Sequence, residues 1–203
     1  GMRVVAANSA PCGECFYCRK DQENLCEDLM FINGAYAEYI KIPEQIVKHN
    51  LHQVPDHVSY RDAALVEPLA CVLHGIEATG VQRHDTVAVV GSGPIGLMFI
   101  RMAKLRGARV VAVGRRSNRL EAARTMGADT VIDSASVTDV VTAVKSETEE
   151  SRGADRVVEA VGQPISWEQA IRMVRPGGVI NAFGGCPSNT QIQIDTGLIH
   201  YSE

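Results

Sequence analysis

From residue 86 onward, short apolar runs alternate with longer stretches whose apolar residues recur every three or four positions. The runs fall at 86–90 (Thr-Val-Ala-Val-Val), 109–113, 129–133, 156–161 and 179–183. They are rich in β-branched residues and short enough to be strands. The stretches between them carry helix punctuation. Ser117 is placed to cap a helix that runs to Met126, with Gly127 as its stop. Ser166-Trp167-Glu168-Gln169 has the form of a capping box, and Arg175-Pro176-Gly177-Gly178 ends that helix. Such alternation predicts an α/β fold: a doubly wound parallel sheet with right-handed crossovers and helices on both faces.

The first third of the chain is patterned differently. Residues 3–6 (Arg-Val-Val-Ala) predict a short strand. Gly34-Ala35-Tyr36-Ala37-Glu38-Tyr39-Ile40-Lys41-Ile42-Pro43 alternates apolar and polar residues, which predicts a half-buried strand ended by proline. His49, His52 and His57 follow in a loop-like stretch and have no spacing that makes them ligands. Ser59-Tyr60-Arg61-Asp62 reads as a capped helix start. In the helix beyond it, Glu67, Cys71 and His74 stand at i, i+4 and i+7, on one face. Those three side chains have metal-binding chemistry, but the spacing alone favours an ordinary helix with one buried carboxylate, a core cysteine and a satisfied histidine.

The strand at 86–90 runs directly into Gly91-Ser92-Gly93-Pro94-Ile95-Gly96, a Gly-x-Gly-x-x-Gly turn, and an apolar helical run opens after it. Strand before and helix after are the context in which this turn binds a dinucleotide. Glycine accepts the tight backbone and lets main-chain N–H groups approach a pyrophosphate at a helix N-terminus. About twenty residues on, the end of the next strand should meet the adenine ribose, where an acidic residue selects NAD. Here that place is Gly114, followed by Arg115-Arg116-Ser117-Asn118-Arg119. Without the carboxylate nothing repels a 2′-phosphate, and the arginines can bond one. The expected cofactor is therefore NADP in preference to NAD, against the plainer reading of a solvated basic turn.

Four of the six cysteines lie together at Cys12, Cys15, Cys18 and Cys26. Four thiolates at such short spacings can wrap one tetrahedral zinc and tie down a loop that has little core. Disulfides need an oxidising compartment. An iron–sulfur cluster of the ferredoxin type has a shorter last gap followed by proline. Unligated thiols are the remaining reading. Zinc in a closed, structural site is expected.

Composition narrows the class. The chain has 203 residues, 45% hydrophobic and 22% charged, as in globular rather than disordered proteins. A net charge of −4 and the lack of a basic stripe argue against nucleic acid as a partner. No apolar run is long enough to span a membrane, and a cytoplasmic location is expected.

Together these pieces resemble the zinc-dependent medium-chain dehydrogenases, in particular the branch of sorbitol, threonine and related polyol or alcohol dehydrogenases. The resemblance rests on the Cys-x2-Cys-x2-Cys-x7-Cys lobe, Gly-Ala-Tyr-Ala-Glu-Tyr, Glu67-Pro68-Leu69-Ala70, Gly-Ser-Gly-Pro-Ile-Gly and Arg175-Pro176-Gly177-Gly178. It implies a GroES-like catalytic domain, present in part over 1–78, and a Rossmann domain over 79–203 with five of its six strands. It implies an oxidoreductase that uses zinc as a Lewis acid while hydride passes between an alcohol and NAD(P). Cys12, Cys15, Cys18 and Cys26 match the structural zinc ligands, and Glu67 matches the carboxylate at the catalytic metal. Gly91, Gly93, Pro94, Ile95, Gly96, Gly114, Arg115, Arg119 and Gly184 match cofactor-facing positions. The family's N-terminal segment, with the catalytic cysteine and a His-Glu pair, has no counterpart, and Gly1-Met2-Arg3-Val4 fits an interior Gly-x-Arg-Val. The chain thus reads as the middle of a dehydrogenase, inactive alone, with its fifth strand an exposed edge that invites a dimer or tetramer. The alternatives are a non-catalytic nucleotide-binding remnant with one structural zinc, and the zinc-free quinone reductases, which lack the cysteine lobe.

Overall fold

A computed structural model describes residues 1–202. The chain packs as two compact units, Gly1–Pro68 and Leu69–Glu203.

The first unit is built from short elements. Strand β1 (Val4–Ala6) pairs antiparallel with β4 (Leu51–Gln53), and β2 (Ser9–Ala10) pairs with β3 (Met30–Phe31). Helix α1 (Glu44–Asn50) joins them and buries Ile46 completely. Side-chain amides fasten it to the loop below: Gln45 donates to the Ala10 and Pro11 carbonyls at 3.0 and 2.8 Å, and Asn50 to Ser9 at 2.6 Å. Arg3 donates to the Val58 carbonyl at 2.6 Å and lies 4.5 Å over the Tyr60 ring. Ser59 caps α2 (Tyr60–Ala63), its hydroxyl accepting the Asp62 amide, as its position forecast.

The strand expected over 34–43 does not form. Tyr36 and Tyr39 are 108% and 92% exposed, and no described segment pairs with this stretch. Alternation encodes two faces, but a strand also needs a neighbour to take its N–H and C=O groups. His49 and His52 stand on α1 and β4 rather than in a loop, exposed in both cases.

The second unit is the parallel sheet that the alternation predicts. Its strands β5 (Thr86–Val90), β6 (Arg109–Gly114), β7 (Thr130–Asp133), β8 (Ala154–Glu159) and β9 (Val174–Ala182) lie in the order β7-β6-β5-β8-β9, every pair parallel. Period-2 alternation sends Val87 and Val89 to one face and Ala88 and Val90 to the other. The first face is covered by α3 (Val66–Thr79), α4 (Pro94–Leu105) and α5 (Ser117–Met126), through Val72, Ile76, Phe99, Ile100 and Ala123. The second is covered by α6 (Val140–Ser146) and α7 (Pro164–Met173), through Val140, Val144, Ala170 and Met173. A last helix, α8 (Thr196–Ser202), follows β9.

Two local readings need correction. Helix α7 begins at Pro164, so Ser166 is not its cap; Ser166 Oγ instead accepts the Gln163 amide at 3.2 Å. Proline at the first helical position, where its missing N–H costs nothing, sets this start. Likewise Arg116 precedes α5, and Ser117 is already helical. Gly127 does end α5 in the left-handed conformation, at φ 106°.

Carboxylates secure the edge of the sheet where the strands begin. Asp155 accepts the Thr86 amide at 2.7 Å and the Arg175 guanidinium at 2.6 Å. Asp129 accepts the Val110 amide at 2.7 Å and Lys104 at 2.9 Å. Partial burial pushes both carboxyls up. The amide and the cation together outweigh it and hold each below the ordinary carboxylate range. A depressed native pKa contributes stability at neutral pH that is lost as pH falls through it. Asp155→Asn should therefore cost about 1–3 kcal/mol in urea unfolding at pH 7. The deficit should shrink as the pH drops below about 4; an equal deficit at both pH values would contradict this role.

Candidate functional site

At the opposite edge of the sheet, where β5 and β6 end, lies a cleft of about 470 Å³. Gly91, Ser92, Gly93, Gly114, Arg115, Arg116, Arg119 and Ser134 line one side, and Val161, Gln163, Ile165, Ser166 and Gln169 the other. The three glycines of the turn do different work. Gly91 adopts φ 116°, and its amide bonds the Val113 carbonyl at 2.8 Å. Gly96 lies so close under the turn that a β-carbon there would be 1.8 Å from the Gly91 oxygen. A β-carbon on Gly93 would meet nothing within 4 Å, so this residue borders open space at the start of α4. Tight turn, close packing and open approach are what a pyrophosphate-binding turn requires of its glycines. Pro94 takes the first position of α4, and Ile95 packs partly against the core beneath.

The β6 side of the cleft is cationic. Arg115 Nε donates to Ser134 Oγ at 3.3 Å, and that hydroxyl donates to the Gly114 carbonyl at 3.2 Å. Arg116 is held at φ 70°, an uncommon backbone for a residue with a side chain, immediately before the first turn of α5. Arg119 stands in that turn. None of the three forms an ion pair among the described residues. Three uncompensated guanidinium groups beside a side-chain-free strand end suit an anionic ligand.

Gly184 is placed behind the cleft wall. A β-carbon there would meet Glu159 Oε2 and the Gly162 amide nitrogen, each at 2.5 Å. The buried Glu159 carboxylate accepts the Val161 and Gly162 amides at 2.8 and 3.0 Å, so it shapes the turn that Val161 presents to the cleft. Sequence reasoning passed over Ser134 and the α7 residues as parts of this cleft, because only their convergence in space distinguishes them from other turn and helix residues.

In the first unit, Cys12, Cys15, Cys18 and Cys26 come together with every sulfur within 4.8 Å of the others. Cys12 and Cys18 are 3.9 Å apart, Cys15 and Cys18 3.5 Å, and Cys15 and Cys26 3.9 Å. Four Zn–S bonds of ~2.3 Å in a tetrahedron put the sulfurs roughly 3.8 Å apart, so the set fits one zinc ion. The amides of Cys18 and Glu27 lower the Cys15 thiol to about 6, whereas burial pushes Cys18 up to about 12. Glu67 stands exposed in the first turn of α3, outside this cluster. Among the described residues, the cysteines are the one gathering of three or more potential metal ligands.

Comparison with known proteins agrees with this arrangement. Residues 94–203 match the model of the zinc-binding dehydrogenase family, and residues 1–56 match the alcohol dehydrogenase GroES-like domain. The chain belongs to the zinc-binding dehydrogenases. Among curated members, sorbitol dehydrogenase of Bacillus subtilis is 34% identical over all of this chain and 57% of its own length. D-arabitol-phosphate dehydrogenase of Enterococcus avium is 33% identical over 91% of this chain and 53% of its own. The chain thus spans little more than half of these dehydrogenases. A zinc-binding dehydrogenase from Sinorhizobium meliloti 1021, solved with NADP bound, superposes at TM-score 0.91 with 30% identity over 100% of this chain and 59% of that one. Alcohol dehydrogenase TADH from Thermus sp. ATN1 gives 0.88 with 34% identity, over 98% and 61%. No helix among the described residues is long and apolar enough to cross a membrane.

The cysteine geometry makes a direct prediction for this chain. It should bind about one zinc, and Cys15→Ser with Cys26→Ser should abolish that, because two thiolates cannot close a tetrahedral site. Plasma emission spectrometry on desalted protein reads the ratio; full zinc retention in the double variant would refute the assignment.

Proposed function

We propose that the chain is a portion of a zinc-dependent dehydrogenase that oxidises alcohols or polyols and prefers NADP to NAD. The observation that carries this reading is the cleft itself: a glycine turn at a helix start, a strand ending in Gly114 rather than a carboxylate, and three arginines around it that form no ion pair among the described residues. NADP in the Sinorhizobium relative supports the cofactor, and relatives named for sorbitol and arabitol phosphate support the substrate class. The bound cofactor would supply the hydride acceptor for a CH–OH carbon. The chain's own residues bind and orient it. Gly91, Gly93 and Gly96 let the backbone approach the pyrophosphate, with Pro94 and Ile95 opening α4 behind it. Gly114 leaves room for the 2′-phosphate, and Arg115, Arg116 and Arg119 neutralise it.

The cysteine set would hold its zinc through four protein ligands, which leaves no place for substrate, so that metal stabilises the lobe. A catalytic zinc needs about three protein ligands and an open position. Glu67 offers one carboxylate, and the described residues do not complete such a site. No step is therefore assigned to a catalytic metal on this chain, which as it stands matches a nucleotide-binding module as well as part of an enzyme. Strand β9 lies at an edge of the sheet with Val179 exposed, which supports assembly into a dimer or tetramer. We place the protein in the cytoplasm, with small molecules rather than nucleic acid as its ligands.

Two measurements test this. Trp167, the single tryptophan, bonds the Gly184 carbonyl from the helix lining the cleft, so energy transfer from it to a reduced nicotinamide reports binding. NADPH should bind roughly tenfold or more tighter than NADH, the worth of one or two charge-assisted hydrogen bonds. Equal binding, or tighter NADH, would overturn the preference. Separately, the 203-residue chain should hold one zinc and turn over no alcohol. A second zinc, or reduction of NADP with sorbitol or another polyol, would show that the catalytic centre is complete.

A further inference from the structure

Of the asparagines in the chain, Asn33 alone is followed by a glycine. It comes directly after Ile32, whose amide donates to the Asn8 carbonyl at 2.8 Å and so extends the β2–β3 pairing by one bond. Gly34 then takes φ 94°, a conformation that a residue with a side chain resists, so the turn itself favours the Asn-Gly pair. Both residues are exposed, and a β-carbon on Gly34 would meet nothing within 4 Å. Neither the Gly34 amide nor the Asn33 side chain makes a hydrogen bond among the described residues. Other asparagines are restrained. The nitrogens after Asn24, Asn118 and Asn189 donate to the Gln22, Arg116 and Pro187 carbonyls at 2.9, 3.0 and 3.2 Å. The side chains of Asn50 and Asn181 donate to the Ser9 and Gly75 carbonyls at 2.6 and 2.9 Å.

We infer that Asn33 is a site of spontaneous modification, where the open Asn33-Gly34 turn converts to isoaspartate and aspartate. Water takes the proton of the Gly34 amide, and the nitrogen attacks Asn33 Cγ. The N–Cγ bond forms, the Cγ–Nδ2 bond breaks, and ammonia leaves with that proton. The resulting cyclic imide then adds water. Opening at Cγ gives an aspartyl chain. Opening at the backbone carbonyl carbon routes the chain through Cγ and frees the backbone carboxylate, which is isoaspartate. Nothing is oxidised or reduced: one amide and one water become one carboxylate and one ammonium ion. A side chain on residue 34 would crowd the ring, and a paired amide would have to lose its bond before attacking; neither restraint applies here. The β2–β3 pairing ends before Asn33, and no described segment pairs with the stretch that follows, so the carbon added to the backbone disturbs no ladder. The exposed isoaspartyl carboxylate has the chemistry that an S-adenosylmethionine-dependent carboxyl methyltransferase esterifies, and such an enzyme serves as its probe. None of this depends on the nucleotide or zinc readings.

The test is prolonged incubation of the 203-residue chain at mildly alkaline pH, read by peptide mapping and by methyl labelling. Mass spectrometry should find the amide-to-acid change at Asn33 roughly tenfold or more ahead of any other asparagine. A purified isoaspartyl methyltransferase with labelled S-adenosylmethionine should mark the same peptide. Asn33→Gln should abolish both signals, because its longer side chain must close a larger ring that forms more slowly. A second arm needs no variant and compares the native chain with the chain in guanidinium chloride. Because the fold leaves the turn open, the two rates at Asn33 should agree within about threefold. Protection by the fold of more than about tenfold, or conversion spread evenly over the asparagines, would overturn the inference. Acid without methyl label would overturn it too, since the ring would then open only to ordinary aspartate.

Discussion

The nucleotide-facing end of this molecule depends on a contact in which a side chain is missing. Helix α4 begins so close to the end of β5 that a methyl group on Gly96 would overlap the Gly91 carbonyl, at 1.8 Å. With hydrogen there instead, the chain reverses within a few residues and directs the start of α4 at the cleft. The free amides and positive dipole end of that helix then face open space beside Gly93. The neighbouring strand obeys a related limit, since Gly114 can approach Ser92 only because it too lacks a β-carbon. Two bare backbone positions, one in the first turn of α4 and one at the end of β6, thus make a surface where phosphate groups can come close to main-chain nitrogen.

Charge is distributed along the strands in keeping with that arrangement. Where they begin, carboxylates and cations neutralise one another: Asp155 with Arg175, Asp129 with Lys104, and Asp85 with Arg156 at 3.2 Å. Asp155 and Asp129 also accept backbone amides at the strand starts, so these two pairs fasten the sheet as well as balance charge. Where the strands end, Arg115, Arg116 and Arg119 have no such partners among the described residues, and the buried Glu159 is committed to two amides. One edge of the sheet is electrostatically closed and the other is left to be completed by a ligand.

The cysteine lobe solves a different problem. Around it Phe16, Leu25 and Phe31 are more than half exposed, so little apolar burial holds the loop. Four sulfurs at tetrahedral separations can substitute a metal for the missing core, the usual solution for a loop too short to bury its own interior. The first unit elsewhere relies on side-chain amides and on Arg3 reaching carbonyls more than fifty residues away.

The sequence by itself determined the five parallel strands, the punctuation at Gly127 and Ser59, the glycine turn and the cysteine cluster. Each is a local pattern of period, spacing or backbone permissiveness, and such patterns survive without knowledge of neighbours. It misjudged the stretch 34–43, where alternation was present but a partner strand was not, and the start of α7, where Pro164 rather than Ser166 sets the boundary. What only the tertiary structure decided were relations between distant residues: Arg116 and Ser134 beside the glycine turn, Gly184 behind the cleft wall, and Ser92 against Gly114. The physical reason is that steric exclusion and charge compensation depend on which side chains share a volume. Residues 92 and 114, some twenty positions apart, share theirs only because β5 and β6 end side by side.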